Sequence, residues 1–204
     1  MAIKKMKSII LVTTMVLGLL SLSGCSKKEE AKDVELKTIS TKDLESKLED
    51  DSWVIVDTRI NDAYNGWKLD GVSRGGHIAG AVDFSSNWLS VDNKNKEEIL
   101  DEALKTKGID KDKNIVLYDS NEEDAKVVGN YLSQKGYTNV YTYNVKEWAK
   151  EESLSMESYE NYDRLVPADI VKEVIDGKTP ETFEGSKNIK IVEASWNMSF
   201  RICF

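Results

Sequence analysis

The chain has 204 residues, of which 40% are apolar and 31% charged, and its formal net charge is −8. That length suits one globular domain and the start of a second, and the acidic balance excludes the basic footprint of a nucleic-acid binder. Two cysteines, Cys25 and Cys203, and a single histidine, His77, exclude a disulfide scaffold and a Cys/His metal cluster, so neither a metal nor a cofactor is expected.

Lys4, Lys5 and Lys7 precede an apolar run over residues 9–22. A basic start, a short apolar stretch and small residues together mark a secretory signal. The run is short for a membrane span, which needs roughly 20 residues. Leu22-Ser23-Gly24-Cys25 follows directly and resembles a bacterial lipoprotein lipobox, which implies a signal peptide over residues 1–24 and acylation of Cys25. Removing residues 1–24 takes away three lysines and no acidic residue, so the net charge of −8 becomes −11. A body this acidic does not seek anionic headgroups, so the acyl chains must supply the membrane affinity. Residues 25–35 read as a polar tether.

Ser40-Thr41-Lys42-Asp43 has capping-box spacing, and Leu44 and Leu48 give the helix after it one apolar face. Trp53-Val54-Ile55-Val56 reads as a buried strand ending in Asp57-Thr58-Arg59. After Tyr64 and Gly66 comes Gly75-Gly76-His77-Ile78-Ala79-Gly80-Ala81-Val82. A helix with Ile99, Leu100, Ala103 and Leu104 inward ends at Gly108. Residues 114–136 then read as strand, tight loop and helix. Ile115-Val116-Leu117-Tyr118 is a short apolar run, and Asp119-Ser120-Asn121 are turn formers. Ala125, Val128, Tyr131 and Leu132 recur at helical spacing before Gly136. Val140 to Tyr143 is another strand, followed by a short helix to Lys150. Alternating strands and helices predict a mostly parallel central sheet with helices on both faces. In such folds ligands sit at the carboxyl ends of strands, against helix N-termini. That points to the loop from Asp119 to Asp124.

The ordered set resembles a rhodanese domain. The D-x-R at Asp57-Thr58-Arg59, the aromatic Tyr64, Gly66 and the G-H-I-x-G-A from Gly76 to Ala81 match its front half. Residues 114–136 match its central strand, active-site loop and helix. Gly136-Tyr137-Thr138-Asn139-Val140 matches the entry into the next strand. Trp148 matches the tryptophan that closes the domain, although Asn144-Val145 stands where Gly-Gly is usual. The resemblance covers residues 36–151 and implies a rhodanese-like α/β fold. His77 can be read as a catalytic base or ligand, or as a structural histidine bonding backbone before a strand. The family pattern and the lack of partner residues favour the structural reading. Arg59 is expected to pair with a nearby carboxylate such as Asp62 or Asp83. Asp57 is expected to bond a backbone amide. The five tryptophans read as core and interface, since no basic groove accompanies them.

The resemblance also says what the loop should contain. A working loop of this family resembles C-x-x-G-x-R, whose thiolate takes a sulfur atom from thiosulfate or 3-mercaptopyruvate as a persulfide. Here the cysteine position is Asp119, and the Gly and Arg positions are Glu122 and Asp124, with Ser120, Asn121 and Glu123 between them. A carboxylate cannot carry a sulfane sulfur. The acids oppose an anionic substrate, and their plain role is to complement a helix dipole, at roughly 0.3–1 kcal/mol each. An Asp at this position is similar to the first, non-catalytic domain of tandem thiosulfate/3-mercaptopyruvate sulfurtransferases. The resemblance therefore implies a transferase of sulfur-containing groups that is inactive as this chain alone. The alternative is a non-catalytic binding module at the cell envelope. The partners implied are a small sulfur-containing anion or a protein, and the membrane through the N-terminal lipid.

Residues 152–164 read as a polar, acidic linker. Val166-Pro167-Ala168-Asp169 then opens a helix carrying Ile170, Val171, Val174 and Ile175, and Ile189-Lys190-Ile191-Val192 reads as a strand. Helix, linker and strand recur in the order seen from Asp43 to Val56. Residues 165–204 therefore read as the opening of a second rhodanese domain, cut short, with Cys203 outside any recognisable loop. The lipobox generates the first prediction. Metabolic labelling with a palmitate analogue is expected to tag the protein, and Cys25→Ala is expected to abolish the tag. Labelling that survives the substitution removes the lipoprotein reading.

Overall fold

The computed structural model describes residues 36–183, 189–193 and 201–202, all within one compact unit, Lys32–Phe204. The apolar run over residues 9–22, the lipobox with Cys25, the tether and Cys203 lie outside the described residues.

The order is β1 (Lys37–Thr38), α1 (Thr41–Glu45), β2 (Trp53–Asp57), α2 (Asn61–Asn65), β3 (His77–Ile78), β4 (Val82–Asp83), α3 (Lys96–Thr106), β5 (Asn114–Asp119), α4 (Glu123–Gln134), β6 (Val140–Asn144), α5 (Val145–Lys150), β7 (Met156–Glu157), α6 (Ala168–Ile175), β8 (Val192–Glu193) and β9 (Arg201–Ile202). Five strands form one sheet in the order β1-β6-β5-β2-β4, and every pairing in it is parallel. The fold is the α/β rhodanese-like one, with helices on both faces of a parallel sheet.

Alternation along the central strands explains the two faces. Ile55, Val116 and Tyr118 join Leu44, Tyr143, Val145 and Trp148 in one core cluster, under α1 and α5. Val56, Ile115 and Leu117 join Leu100, Leu104, Ala125, Val128 and Leu132 in the other, under α3 and α4. Successive side chains of a strand point to opposite faces, so an unbroken apolar run requires a cover on each. Ser40 caps α1 by accepting the Asp43 N–H at 3.1 Å, and its hydroxyl donates to the Asp43 carboxylate at 2.6 Å. That helix is only five residues long and continues as turns toward Leu48. Gly108 and Gly136, at φ +65° and +87°, terminate α3 and α4 in the left-handed region where glycine carries no Cβ penalty.

The segment after Lys150 differs from the linker expected there. Leu154 is buried in the core cluster of α5. β7 pairs antiparallel with β3, Glu157 opposite His77 and Met156 opposite Ile78. The Tyr159 N–H donates to the Asn65 carbonyl at 2.8 Å, and the Tyr162 ring sits edge-on to Trp67 and against Gly66. Residues 151–164 thus form a strap across the α2–β3 connection. Acidic composition concealed this, because the strap docks through backbone and three spaced apolar residues rather than through a continuous apolar face. Beyond it, α6 buries Ile170, Thr182 Oγ1 donates to the Lys68 carbonyl, and Phe183 approaches Trp67. β8 pairs antiparallel with β9, unlike β2, whose partners are parallel. The strap generates a prediction. Leu154→Ala is expected to cost about 2–4 kcal/mol in denaturant unfolding, the range for truncating a buried leucine. A loss below about 1 kcal/mol would return the segment to a loose linker.

Candidate functional site

The carboxyl ends of β2, β5 and β6 converge on the loop between β5 and α4. Its first residue, Asp119, is completely buried, and Ser120 is 4% exposed. Asp119 Oδ1 accepts the Glu122 N–H at 2.7 Å, and Oδ2 accepts the Ala125 N–H at 3.0 Å. The first N–H groups of a helix have no partner within it. Here the Asp119 carboxylate, four residues before the helix, satisfies that of Ala125 and also takes the N-cap amide of Glu122, while the Glu122 side chain makes no cap of its own. Asn121 adds a second turn bond, accepting the Glu123 N–H at 3.1 Å. The loop is therefore closed on its own side chains.

Burial pushes the Asp119 carboxyl up from its ordinary value. The amides of Ala125 and Glu122 pull it partly back, and Asp124 nearby adds to the rise. Asp124, in the first turn of α4, accepts a hydrogen bond from the Ser86 hydroxyl. Glu122 is held at φ +68°, in the left-handed region, where a non-glycine residue costs about 1–2 kcal/mol. This is the position where the resembling loop pattern has glycine. The Glu122 carboxylate reaches Lys126 at 3.7 Å with both groups 65% exposed, a geometry that contributes little. Glu123 is also exposed. Glu122 also borders a shallow groove of about 360 Å³ with Thr38, Ser40, Thr41, Tyr143 and Glu147.

Asp57 and Arg59 stand at the end of the neighbouring strand β2, with Asp57 in register with Tyr118. Arg59 does not reach Asp62 or Asp83. Its Nε and Nη2 donate to the two Asp57 oxygens at 2.9 and 2.6 Å, and Nη2 also donates to the Gly76 carbonyl at 2.7 Å. Asp57 accepts the Arg59 backbone N–H as well, at 3.0 Å. Two residues apart at a strand end, the pair closes on itself. Asp83 is engaged by Lys107 and by Asn61. The Arg59 guanidinium lies 5.6 Å from the centre of the Tyr118 ring, and the Tyr118 hydroxyl accepts the Ile78 N–H at 3.1 Å. His77 is 5% exposed and bonds the Tyr64 carbonyl through Nδ1 at 2.7 Å. Asp57, Arg59 and His77 thus hold backbone together, while Asp119 to Asp124 form the loop. The Ser86–Asp124 contact and the role of Tyr118 had no signal in the sequence. The Asp57–Arg59 pairing had one, the D-x-R spacing itself.

Chemically, the loop offers neither thiol nor cation. Among the described residues no cluster of three or more His, Cys, Asp or Glu is placed to hold a metal ion, and no helix is long and apolar enough to cross a membrane.

The family model of the rhodanese-like domain matches residues 40–151. The chain belongs to that family. Among solved structures it is similar to wild-type EanB, at 32% identity and a TM-score of 0.64, over 72% of this chain and 33% of that one. The anaerobic ergothioneine biosynthesis enzyme from Chlorobium limicola, in complex with its substrate trimethyl histidine, gives the same identity and TM-score over 72% and 34%. An EanB variant with ergothioneine covalently linked with a cysteine persulfide matches at 30% identity and a TM-score of 0.67, over 78% and 35%. The chain thus spans about one third of the length of these structures. No curated protein matches it.

The buried carboxylate generates a prediction with a defined sign. A carboxyl whose folded value is raised holds its proton more tightly in the folded chain than in the unfolded one. Its contribution to stability is therefore full below the unfolded value of about 3.9 and is lost as pH rises through the folded value. Asn at position 119 does not titrate. The stability of the unaltered chain relative to Asp119→Asn is thus expected to increase as pH falls from 7 toward 4, measured by urea unfolding. A difference that is flat, or that shrinks on acidification, would mean the loop amides outweigh burial.

Proposed function

We propose that this chain is a lipid-anchored, non-catalytic member of the thiosulfate/3-mercaptopyruvate sulfurtransferase group within the rhodanese-like family. The observation that carries the reading is the Asp119 carboxylate. It occupies the end of β5 and takes up the loop amides that a working loop would turn toward a thiolate or an incoming anion. A rhodanese-fold neighbour carries a cysteine persulfide; this chain has no cysteine anywhere in the loop. Glu122, Glu123 and Asp124 add charge of the wrong sign for thiosulfate. Like charges a few ångströms apart oppose each other by on the order of a few kcal/mol at intermediate dielectric. The Leu22-Ser23-Gly24-Cys25 motif supports anchoring through Cys25 on the extracytoplasmic face of the membrane. The order of α6 and β8 after the rhodanese-like residues 40–151 supports descent from a tandem arrangement, in which a second domain supplies the persulfide-forming cysteine. Any partner of the domain as it stands is a protein rather than a small sulfur anion.

The test is thiocyanate production from thiosulfate and cyanide by the purified chain from Ser26 onward. Background rates are expected for the unaltered chain and little more for Asp119→Cys, because the three acids persist. Adding Glu122→Gly and Asp124→Arg is expected to raise the rate further, since it removes the left-handed strain and two opposing charges. Robust turnover by the unaltered chain, lost on Asp119→Ala, would overturn the proposal and make Asp119 catalytic.

A further inference from the structure

The strap over residues 151–164 meets the chain's only histidine, and the geometry of that meeting depends on a proton. His77 Nδ1 lies 2.7 Å from the Tyr64 carbonyl oxygen. A carbonyl oxygen only accepts, so Nδ1 carries the hydrogen, and the neutral ring presents a bare Nε2. That nitrogen lies 3.8 Å from Glu157 Oε2 on β7, with the imidazole 7% exposed and the carboxylate 59% exposed. With the ring neutral, two acceptors face each other across the β3–β7 pair. With the ring protonated, Nε2 becomes a charged donor facing a carboxylate.

The surroundings tolerate the charge. From α2, the Tyr64 ring stacks on the imidazole at 3.9 Å between centres, 10° from parallel. From the strap, Tyr159 stands edge-on at 6.2 Å. From β5, the Tyr118 hydroxyl engages the neighbouring Ile78 N–H. From the end of β2, Arg59 bonds the Gly76 carbonyl, and its charge is matched by the two oxygens of Asp57. Asp57 and Asp83 both add negative potential around the Tyr64 hydroxyl. Glu157 is the one carboxylate in the strap that meets the ring, and the same Oε2 accepts the Gly80 N–H at 3.3 Å, which fixes its position.

We infer that His77 and Glu157 form a proton-operated latch, which ties the strap to the domain more tightly when the imidazole is charged than when it is neutral. The first part of the strap is held firmly: Leu154 is buried, Arg74 donates to the Glu151 and Leu154 carbonyls at 2.9 and 2.8 Å, and the Trp148 Nε1–H donates to the Ser155 carbonyl at 3.1 Å. The rest is held by the Ala79-to-Ser155 bond at 3.3 Å, the short β3–β7 pair, the Tyr159-to-Asn65 bond and the packing of Tyr162 against Gly66 and Trp67. Glycine at 66 and 76 makes the approach possible, because a Cβ at either position would collide with the Tyr162 ring or the Glu157 carbonyl. A two-residue strand pair with few bonds around it opens locally before the domain unfolds, so a single ion pair changes the population of that part of the strap measurably.

The test is amide hydrogen exchange on the chain from Ser26 onward between pH 8 and 6, expressed as protection factors so that the intrinsic pH dependence of exchange cancels. Over that window imidazole is the side chain that ordinarily titrates. Protection of the Tyr159 and Ala79 amides is expected to rise about two- to fivefold toward pH 6, the range for a half-exposed ion pair. The β5 amides are expected to stay unchanged. Glu157→Gln keeps the side-chain length and an acceptor for the Gly80 amide, and it is expected to abolish the rise. Flat protection in the unaltered chain overturns the latch, and so does a rise that persists undiminished in Glu157→Gln.

Discussion

The burial of β5 on both faces is the constraint from which the rest follows. Every residue from Ile115 to Asp119 is inaccessible to solvent. A strand in that position needs hydrogen-bonded partners on both edges, which β2 and β6 supply in parallel, and apolar cover above and below. Parallel pairing in turn demands crossover connections, and the helices that make them become the cover. The chain then has one place to put polar chemistry, the carboxyl ends of these strands. Whatever residue ends β5 is delivered, buried, to the N-terminus of α4.

That residue is Asp119, and its burial decides what it bonds to. A buried carboxylate without a cation beside it is costly unless hydrogen bonds replace the lost water. The Glu122 and Ala125 amides, at and just inside the start of α4, do so, and the helix N-terminus favours the negative charge. The same two amides cannot serve an external anion at the same time. Asp119 therefore closes the loop on itself through one set of bonds. Glu122 carries a residual cost, since its backbone takes the left-handed turn without being glycine.

At the end of β2 the Asp57–Arg59 pair plays a different part. Breaking such a pair leaves one buried charge uncompensated, so both partners are held together once either is present. The bidentate geometry spends the guanidinium on Asp57 and on the Gly76 carbonyl. The pair fastens the end of β2 to the glycine turn ahead of His77, and through Gly76 it sets the platform on which the strap lies.

Much of this was legible in the chain itself. The strands and helices of residues 36–151, their parallel arrangement and the loop at Asp119 follow from apolar runs, helical spacing and turn residues. These are local properties that act within a few positions of one another. The absence of a thiol in the loop is likewise a fact of covalent sequence, which no fold can alter. The tertiary structure decided the rest. The partner of Arg59 depends on which carboxylate the turn brings within reach, and that proved to be its own neighbour two residues back. The docking of residues 151–164 depends on a backbone pairing with His77 and Ile78, some eighty positions earlier, and on glycines that leave room for it. Composition describes that stretch as acidic and solvated, because hydrogen bonds between main chains leave no trace in the identity of the side chains.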